Sequence, residues 1–317
     1  MRIVLKRLGY GALAILGVML LFIVISFTNH TIKLRSELSI LSPPGAMVNV
    51  NNHQMHVYTE GVGLQTLVFL SGGGTSAPVL DFKALYSRLS EQYKIAVVEK
   101  AGYGFSETAK VSRDIDTILE ETRTALTLAG QNPPYVLFPH SMSGIEALYW
   151  AQRYPTEVKA IIGLDPAIPE VYEAYPLPSG GMMSLTGLGA RMGITRFFPG
   201  IVDSSAAIKE NHLSPQEKKL YRALFYKNTQ TSNMNDEVNR IKQNAAKVAT
   251  QGIPDVPMYF FISNGEELPV ENWQTYLIRY IESVKMGKYQ VLDGGHYIHN
   301  TDPDRIAEES VLFINEL

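Results

Sequence analysis

Hydrophobic and polar positions follow three rhythms along this chain. Leu8–Thr28 is a run of 21 residues without a charge, and at ~1.5 Å per residue a helix of that length crosses a ~30 Å hydrocarbon layer. It reads as an uncleaved membrane span, since the run is long for a signal peptide and no A-x-A-like site follows at Ser26-Phe27-Thr28-Asn29. From Ala46 to Glu60 apolar and polar residues alternate through Met47, Val48, Val50, Met55, Val57 and Tyr58, which predicts an antiparallel hairpin. Beyond it the apolar runs become short and continuous, at 66–70, 95–98, 135–138, 158–164 and 256–262, as in strands buried on both faces of a parallel sheet. Helical periods over 80–91, 114–129, 144–153 and 272–284 lie between or after them.

Strand and helix therefore alternate, which predicts an α/β fold with a mostly parallel, doubly wound sheet and an antiparallel start. One stretch interrupts the order. Between Asp165 and Pro257 no convincing strand pair occurs, but helical pieces do, over 214–226 and 234–249. A long excursion of that kind in a compact domain is usually a lid or a binding element. The expected division is an N-terminal anchor over 1–35, a core formed by 36–165 and 257–317, and a helical cap over 166–256. Pro176, Pro178, Gly180, Gly181, Met182 and Met183 give the start of that cap the composition of mobile, apolar substrate contacts.

Charge changes the picture once the anchor is set aside. Residues 1–35 hold 5 of the 28 basic residues and none of the 31 acidic ones, so the remainder carries 23 basic against 31 acidic side chains, a net −8. With no Lys/Arg cluster, such a domain is a poor partner for nucleic acid or for broad binding to anionic lipid, and a small molecule is expected instead. Arg2, Lys6 and Arg7 before the span against Lys33 and Arg35 after it favour a cytoplasmic N-terminus and an extracytoplasmic catalytic domain. The chain has no cysteine, which removes thiolate chemistry, disulfides and Cys-based metal sites. His53-Gln54-Met55-His56 has the wrong spacing for two ligands on one strand face and H-E-x-x-H is absent, so no metal is expected.

Chemistry concentrates in four segments. Tyr135-Val136-Leu137-Phe138-Pro139-His140-Ser141-Met142-Ser143-Gly144 is a buried strand that runs into a helix across a serine with mostly small neighbours. It resembles the nucleophile elbow, with Pro139 and Ser143 where glycines are usual. Leu67-Val68-Phe69-Leu70-Ser71-Gly72-Gly73-Gly74-Thr75 is a strand ending in a glycine run. That run fits neither G-x-G-x-x-G nor a G-K-[ST] phosphate loop, and so excludes the dinucleotide reading. Glu99-Lys100-Ala101-Gly102-Tyr103-Gly104-Phe105-Ser106 forms a turn, and Leu292-Asp293-Gly294-Gly295-His296 carries the best-placed of the seven histidines.

In this order the four segments resemble the α/β-hydrolase family from about residue 47 to the end of the chain. The glycine run is similar to the family's His-Gly-x oxyanion loop with Ser71 for His, the Glu99 turn to its D-x-x-G-x-G-x-S turn, and the Gly-Gly-His loop to the one bearing its catalytic base. The resemblance implies Ser141 as nucleophile, His296 as general base, and the N–H groups of Gly73 and Met142 as oxyanion donors, with no cofactor. The acid has two candidates. Asp165 ends the strand over 158–164, where some members carry their acid; Glu267 lies in Asn264-Gly265-Glu266-Glu267-Leu268-Pro269, near the register of the family's usual Gly-x-x-Asp-Pro. Asp165 ranks ahead. The implied activity is hydrolysis of a small or medium carboxylic ester by a serine hydrolase. A proline iminopeptidase-like aminopeptidase acting on an amide is the second possibility, and a ligand-binding or signalling protein with little turnover is the third.

Overall fold

The computed structural model describes residues 2–317; Met1, the first residue of the expected anchor, lies outside them. A helix over Arg2–Glu37 comes first. Eight strands follow: β1 (Ala46–Val50), β2 (His53–Glu60), β3 (Thr66–Leu70), β4 (Lys94–Glu99), β5 (Tyr135–Ser141), β6 (Val158–Pro166), β7 (Met258–Ile262) and β8 (Gly287–Val291). They form one sheet in the order β1-β2-β4-β3-β5-β6-β7-β8. The β1/β2 and β2/β4 pairs are antiparallel and all others parallel, so the antiparallel start and parallel body expected from the pattern are both present. Asn51 and Asn52 turn the hairpin with φ of 49° and 66°. Two successive left-handed residues are what a two-residue turn needs to match strand twist, and asparagine tolerates them.

Alternation along the central strands sends side chains to two cores. Val68, Leu70, Ala96, Val98 and Leu137 pack on one face against the helices Ile115–Leu128, Ser143–Arg153 and Trp273–Glu282. Leu67, Phe69, Ile95, Val97 and Phe138 pack on the other against Lys83–Leu89 and Pro303–Asn315. β8 is a strand that the apolar pattern does not reveal. It is an edge strand whose residues are almost all exposed, and an edge needs no continuous apolar run.

Between β6 and β7 the chain is helical, with its longest helices over Gly180–Arg191, Pro215–Asn228 and Ser232–Ala249. Ser214 and Glu217 form a reciprocal capping box at the second, and the Thr231 hydroxyl caps the third. The end of the N-terminal helix packs on this insertion. Ser26 Oγ donates to the Met192 carbonyl (2.6 Å), and the Arg196 guanidinium donates to both oxygens of Glu37 (2.8 and 2.7 Å).

Glu99 organises the turn after β4. Its buried carboxylate accepts from the Phe105 and Val79 N–H groups (2.6 and 3.2 Å) and meets His56 Nδ1 at 2.9 Å. The other nitrogen of His56 contacts the Pro44 carbonyl. Burial pulls the imidazole's pKa down, but these acceptors outweigh it and the net shift is upward. Its contribution to stability is thus complete below the unfolded value of about 6.5 and is lost as pH rises through the higher folded value. The difference in Tm between wild type and His56→Gln is expected to shrink steadily from pH 6 to pH 9. A constant difference would mean that the buried imidazole is neutral throughout.

Candidate active site

β5 ends at Ser141 and the next helix starts at Ser143, which leaves Met142 alone to turn the chain. Ser141 takes φ = 53°, a left-handed conformation that costs a non-glycine residue about 1–3 kcal/mol and persists only where its surroundings enforce it. The surroundings do so in three ways. The Ala167 N–H donates to the Ser141 carbonyl at 2.7 Å. Gly144 lets the helix close on β6, since a Cβ there would lie 2.2 Å from the Ala167 carbonyl oxygen. Pro139 lacks the N–H that a strand residue would offer, and the Ser143 hydroxyl instead donates to Leu70, its ladder partner, at 2.6 Å while accepting from His140 N–H at 3.0 Å. The proline in the glycine position is therefore compatible with the turn because a serine follows it.

The glycine run presses against this turn. A Cβ on Gly72 would come within 2.9 Å of Ser141 Cβ, and one on Gly73 within 2.1 Å of the Met142 side chain. Gly73 and Met142 thus sit side by side next to Ser141, with Met142 at the positive end of the 11-residue helix Ser143–Arg153. The Gly74 N–H is committed elsewhere, to the Tyr103 hydroxyl (3.3 Å), which itself donates to Glu237 Oε2 (2.8 Å). Lys100 pairs with the other oxygen of Glu237. Burial, then the Glu237 charge, hold the Tyr103 phenol well above its ordinary pKa. Through this chain the helix Ser232–Ala249 is tied to the glycine loop.

Of the two acids, Asp165 meets the imidazole: His296 Nδ1 lies 2.6 Å from its Oδ2. Asp165 is fully buried and also accepts from Ser263 N–H (2.9 Å), Ser263 Oγ (2.7 Å) and Trp273 Nε1 (2.8 Å). Four donors fill the acceptor capacity of a carboxylate and fix its plane. Glu267 lies elsewhere. Its Oε2 accepts from the main-chain N–H of His296 at 2.9 Å and does not face the ring. Gly295 makes room for it, because a Cβ there would fall 2.5 Å from the Glu267 carboxylate. Ser263 and Trp273 escape a reading of motifs; the only signals are a polar residue at the C-terminal end of β7 and one of the two tryptophans of the chain.

His140 packs between the catalytic candidates and a second polar group. Its ring lies 4.7 Å from those of His296, Tyr297 and His299, and its Nε2 is 3.1 Å from the His296 carbonyl oxygen. Burial, followed by the neighbouring His299 and His296, holds its pKa well below the ordinary histidine value. His299 Nε2 lies 3.1 Å from Asp81 Oδ2. Asp81, His140 and His299 bring metal-ligating atoms within 4.8 Å of one another, all buried. This trio is invisible to sequence spacing. Gly295 and Tyr297, which flank His296 in the chain, line a cavity of about 360 Å³ together with Ser205, Ala206, Tyr221 and Glu267; Ser141 and His296 are not among its lining residues.

A strand–Ser–helix turn, a glycine loop against it and a buried Asp–His pair at one end of a mostly parallel sheet can support nucleophilic acyl chemistry without a metal. Comparison with known proteins agrees with the fold. Residues 65–302 match the family model described as the alpha/beta hydrolase fold. The chain is 36% identical over 320 residues to the uncharacterized protein YbdG of Bacillus subtilis, covering 98% of each. Among solved structures it is similar to an epoxide hydrolase from Vigna radiata (TM-score 0.68, 19% identity, 88% of this chain and 100% of that one). It is also similar to the enol-lactonase from Burkholderia xenovorans (TM-score 0.64, 16% identity, 85% and 100%). The chain belongs to the α/β-hydrolase family.

Proposed function

We propose that this protein is a serine hydrolase acting on a small or medium carboxylic ester. The observation that carries the reading is the 2.6 Å contact between Asp165 and His296 Nδ1 beside a serine held at φ = 53°. With Asp165 on Nδ1, the imidazole presents a basic Nε2. Ser141 Oγ attacks the substrate carbonyl as its proton passes to Nε2, and the N–H groups of Gly73 and Met142 hold the oxyanion. Collapse of the intermediate returns that proton to the leaving alkoxide and leaves an acyl group on Ser141. Water, deprotonated by His296, then releases the acid. The enol-lactonase supports the ester class further, since a lactone is a cyclic ester.

A second reading, an aminopeptidase of the proline iminopeptidase type, draws on Glu210 and Glu267, which both border the cavity and could receive a substrate's ammonium group. The N-terminal helix, apolar and exposed over most of its length, is in this proposal an uncleaved single-pass anchor in the cell membrane, with the hydrolase domain outside the cytoplasm. A fluorophosphonate tests the chemistry. One equivalent bound covalently per chain, on Ser141, is expected; absence of labelling would favour a binding protein without an activated serine. Comparing a p-nitrophenyl butyrate assay with a proline-anilide assay then separates ester from peptide substrates.

A further inference from the structure

We propose that the start of the helical insertion, residues 176–201, is seated in the interfacial layer of the bilayer that the N-terminal helix spans. The inference rests on the anchor reading above.

The first observation is an unusual surface. From Ala174 to Val202 the only charged side chains are Arg191 and Arg196, and Asp and Glu are absent. The net negative charge of the domain lies elsewhere. Within this stretch Leu185 is 70% exposed, Phe198 57% and Ile201 54%, with Met182, Leu188 and Phe197 exposed beside them in sequence. A folded domain seldom leaves so many large apolar groups to water along one stretch without a partner.

The second observation identifies the partner. The stretch is joined to the apolar helix by contacts built for close approach. Gly193 lies so near His30 that a Cβ there would sit 2.4 Å from His30 Cβ. Arg196 Nε donates to His30 Nδ1 at 2.9 Å, and the Phe22 and Phe197 rings are 5.2 Å apart. Phe22 precedes Thr28, after which the polar residues Asn29, His30 and Thr31 begin, by six positions, about 9 Å of helix. With the hydrocarbon edge at Thr28, Phe22 lies about 9 Å inside it and Phe197, 5.2 Å from Phe22, roughly 4–14 Å inside it, a range that includes the depth at which interfacial elements bury their apolar face. Arg191, Lys33 and Arg35 are exposed near this contact, where long cationic side chains can reach the headgroup layer.

The consequence concerns substrate access. The stretch runs directly into Ser204, Ser205 and Ala206, which line the cavity beside His296. The cavity thus borders the lipid-facing segment, and a ligand that enters it from that side is one that partitions into the bilayer.

The absence of cysteine allows a clean test on the full chain. The variants Leu16→Cys, Leu128→Cys, Leu185→Cys and Phe198→Cys are each labelled with NBD and placed in nanodiscs of phosphatidylethanolamine and phosphatidylglycerol. Doxyl groups on added phosphatidylcholine acyl chains serve as quencher. Emission from 185 and 198 is expected to fall about twofold or more, as from 16 in the anchor. Emission from 128, at the opposite end of the sheet, should not change. Quenching at 16 without quenching at 185 and 198 overturns the interfacial seat and leaves the anchor intact. Quenching at 185 and 198 but not at 16 keeps the lipid-facing surface and overturns the anchor. Quenching at neither overturns both, and equal quenching at 128 overturns the proposed face.

Discussion

Ser141→Ala is expected to lower kcat for an activated ester such as p-nitrophenyl butyrate by about 10⁶-fold, the loss seen when a serine nucleophile is removed from a working triad. The loss should be chemical. Alanine at φ = 53° carries the same backbone strain as serine, and the Ser141 main-chain carbonyl keeps its bond from Ala167 at 2.7 Å. Thermal unfolding should therefore move by no more than a few degrees. The Gly73 and Met142 N–H groups are main-chain and survive the substitution, so a residual acceleration of about 10³ over water is expected from oxyanion binding alone. Fluorophosphonate labelling should vanish together with turnover. A variant that keeps a tenth of wild-type turnover with an unchanged Tm would remove Ser141 from the chemistry and return the protein to the ligand-binding reading.

What could be read from the sequence, and what could not, divides along one physical line. Ser141, Met142, Gly73 and Asp165 lie at or next to the C-terminal ends of strands whose apolar runs are continuous, so local pattern and local chemistry point to the same positions. His296 follows an exposed edge strand that periodicity misses, and it was legible only through its glycine neighbours. The groups that hold these residues depend on packing between distant segments. Trp273 reaches Asp165 across 108 positions and Ser263 across 98; no motif marks either. Glu237 is harder still. It lies on the buried stripe of the amphipathic helix Ser232–Ala249, with Met234, Ile241, Ala245 and Val248, where spacing marks the face but not the partner of a polar residue. Only the fold shows that it holds Lys100 and Tyr103, and through Tyr103 the Gly74 amide. Glu267 stays second to Asp165 in the sequence for a related reason. Its loop has nearly the right register for an acid, but the side chain is used on a main-chain N–H one bond-path away from the ring.

That difference between the two carboxylates sets the second large effect. Asp165→Asn is expected to lower kcat by about 10⁴-fold, whereas Glu267→Gln should cost less than about tenfold. Asparagine preserves the shape of Asp165 but turns an acceptor into a donor on one side. If its Nδ2 faces His296 Nδ1, the imidazole must carry its proton on Nε2, the wrong tautomer to accept one from Ser141. If it turns away, the amide faces Ser263 N–H or Trp273 Nε1 and leaves a buried donor opposed by another donor. Neither orientation restores the charge that balances an imidazolium in the transition state. Glutamine at 267, by contrast, still offers an amide oxygen to the His296 N–H, so the loop is held and the ring keeps its partner. The pH profile separates the two roles: the alkaline limb of kcat should persist in Glu267→Gln, while Asp165→Asn should leave turnover that rises toward alkaline pH, where hydroxide replaces the missing base. The reverse ranking, with Asp165→Asn near normal and Glu267→Gln inactive, would move the catalytic acid to Glu267 and require the loop over 264–269 to rearrange when substrate binds.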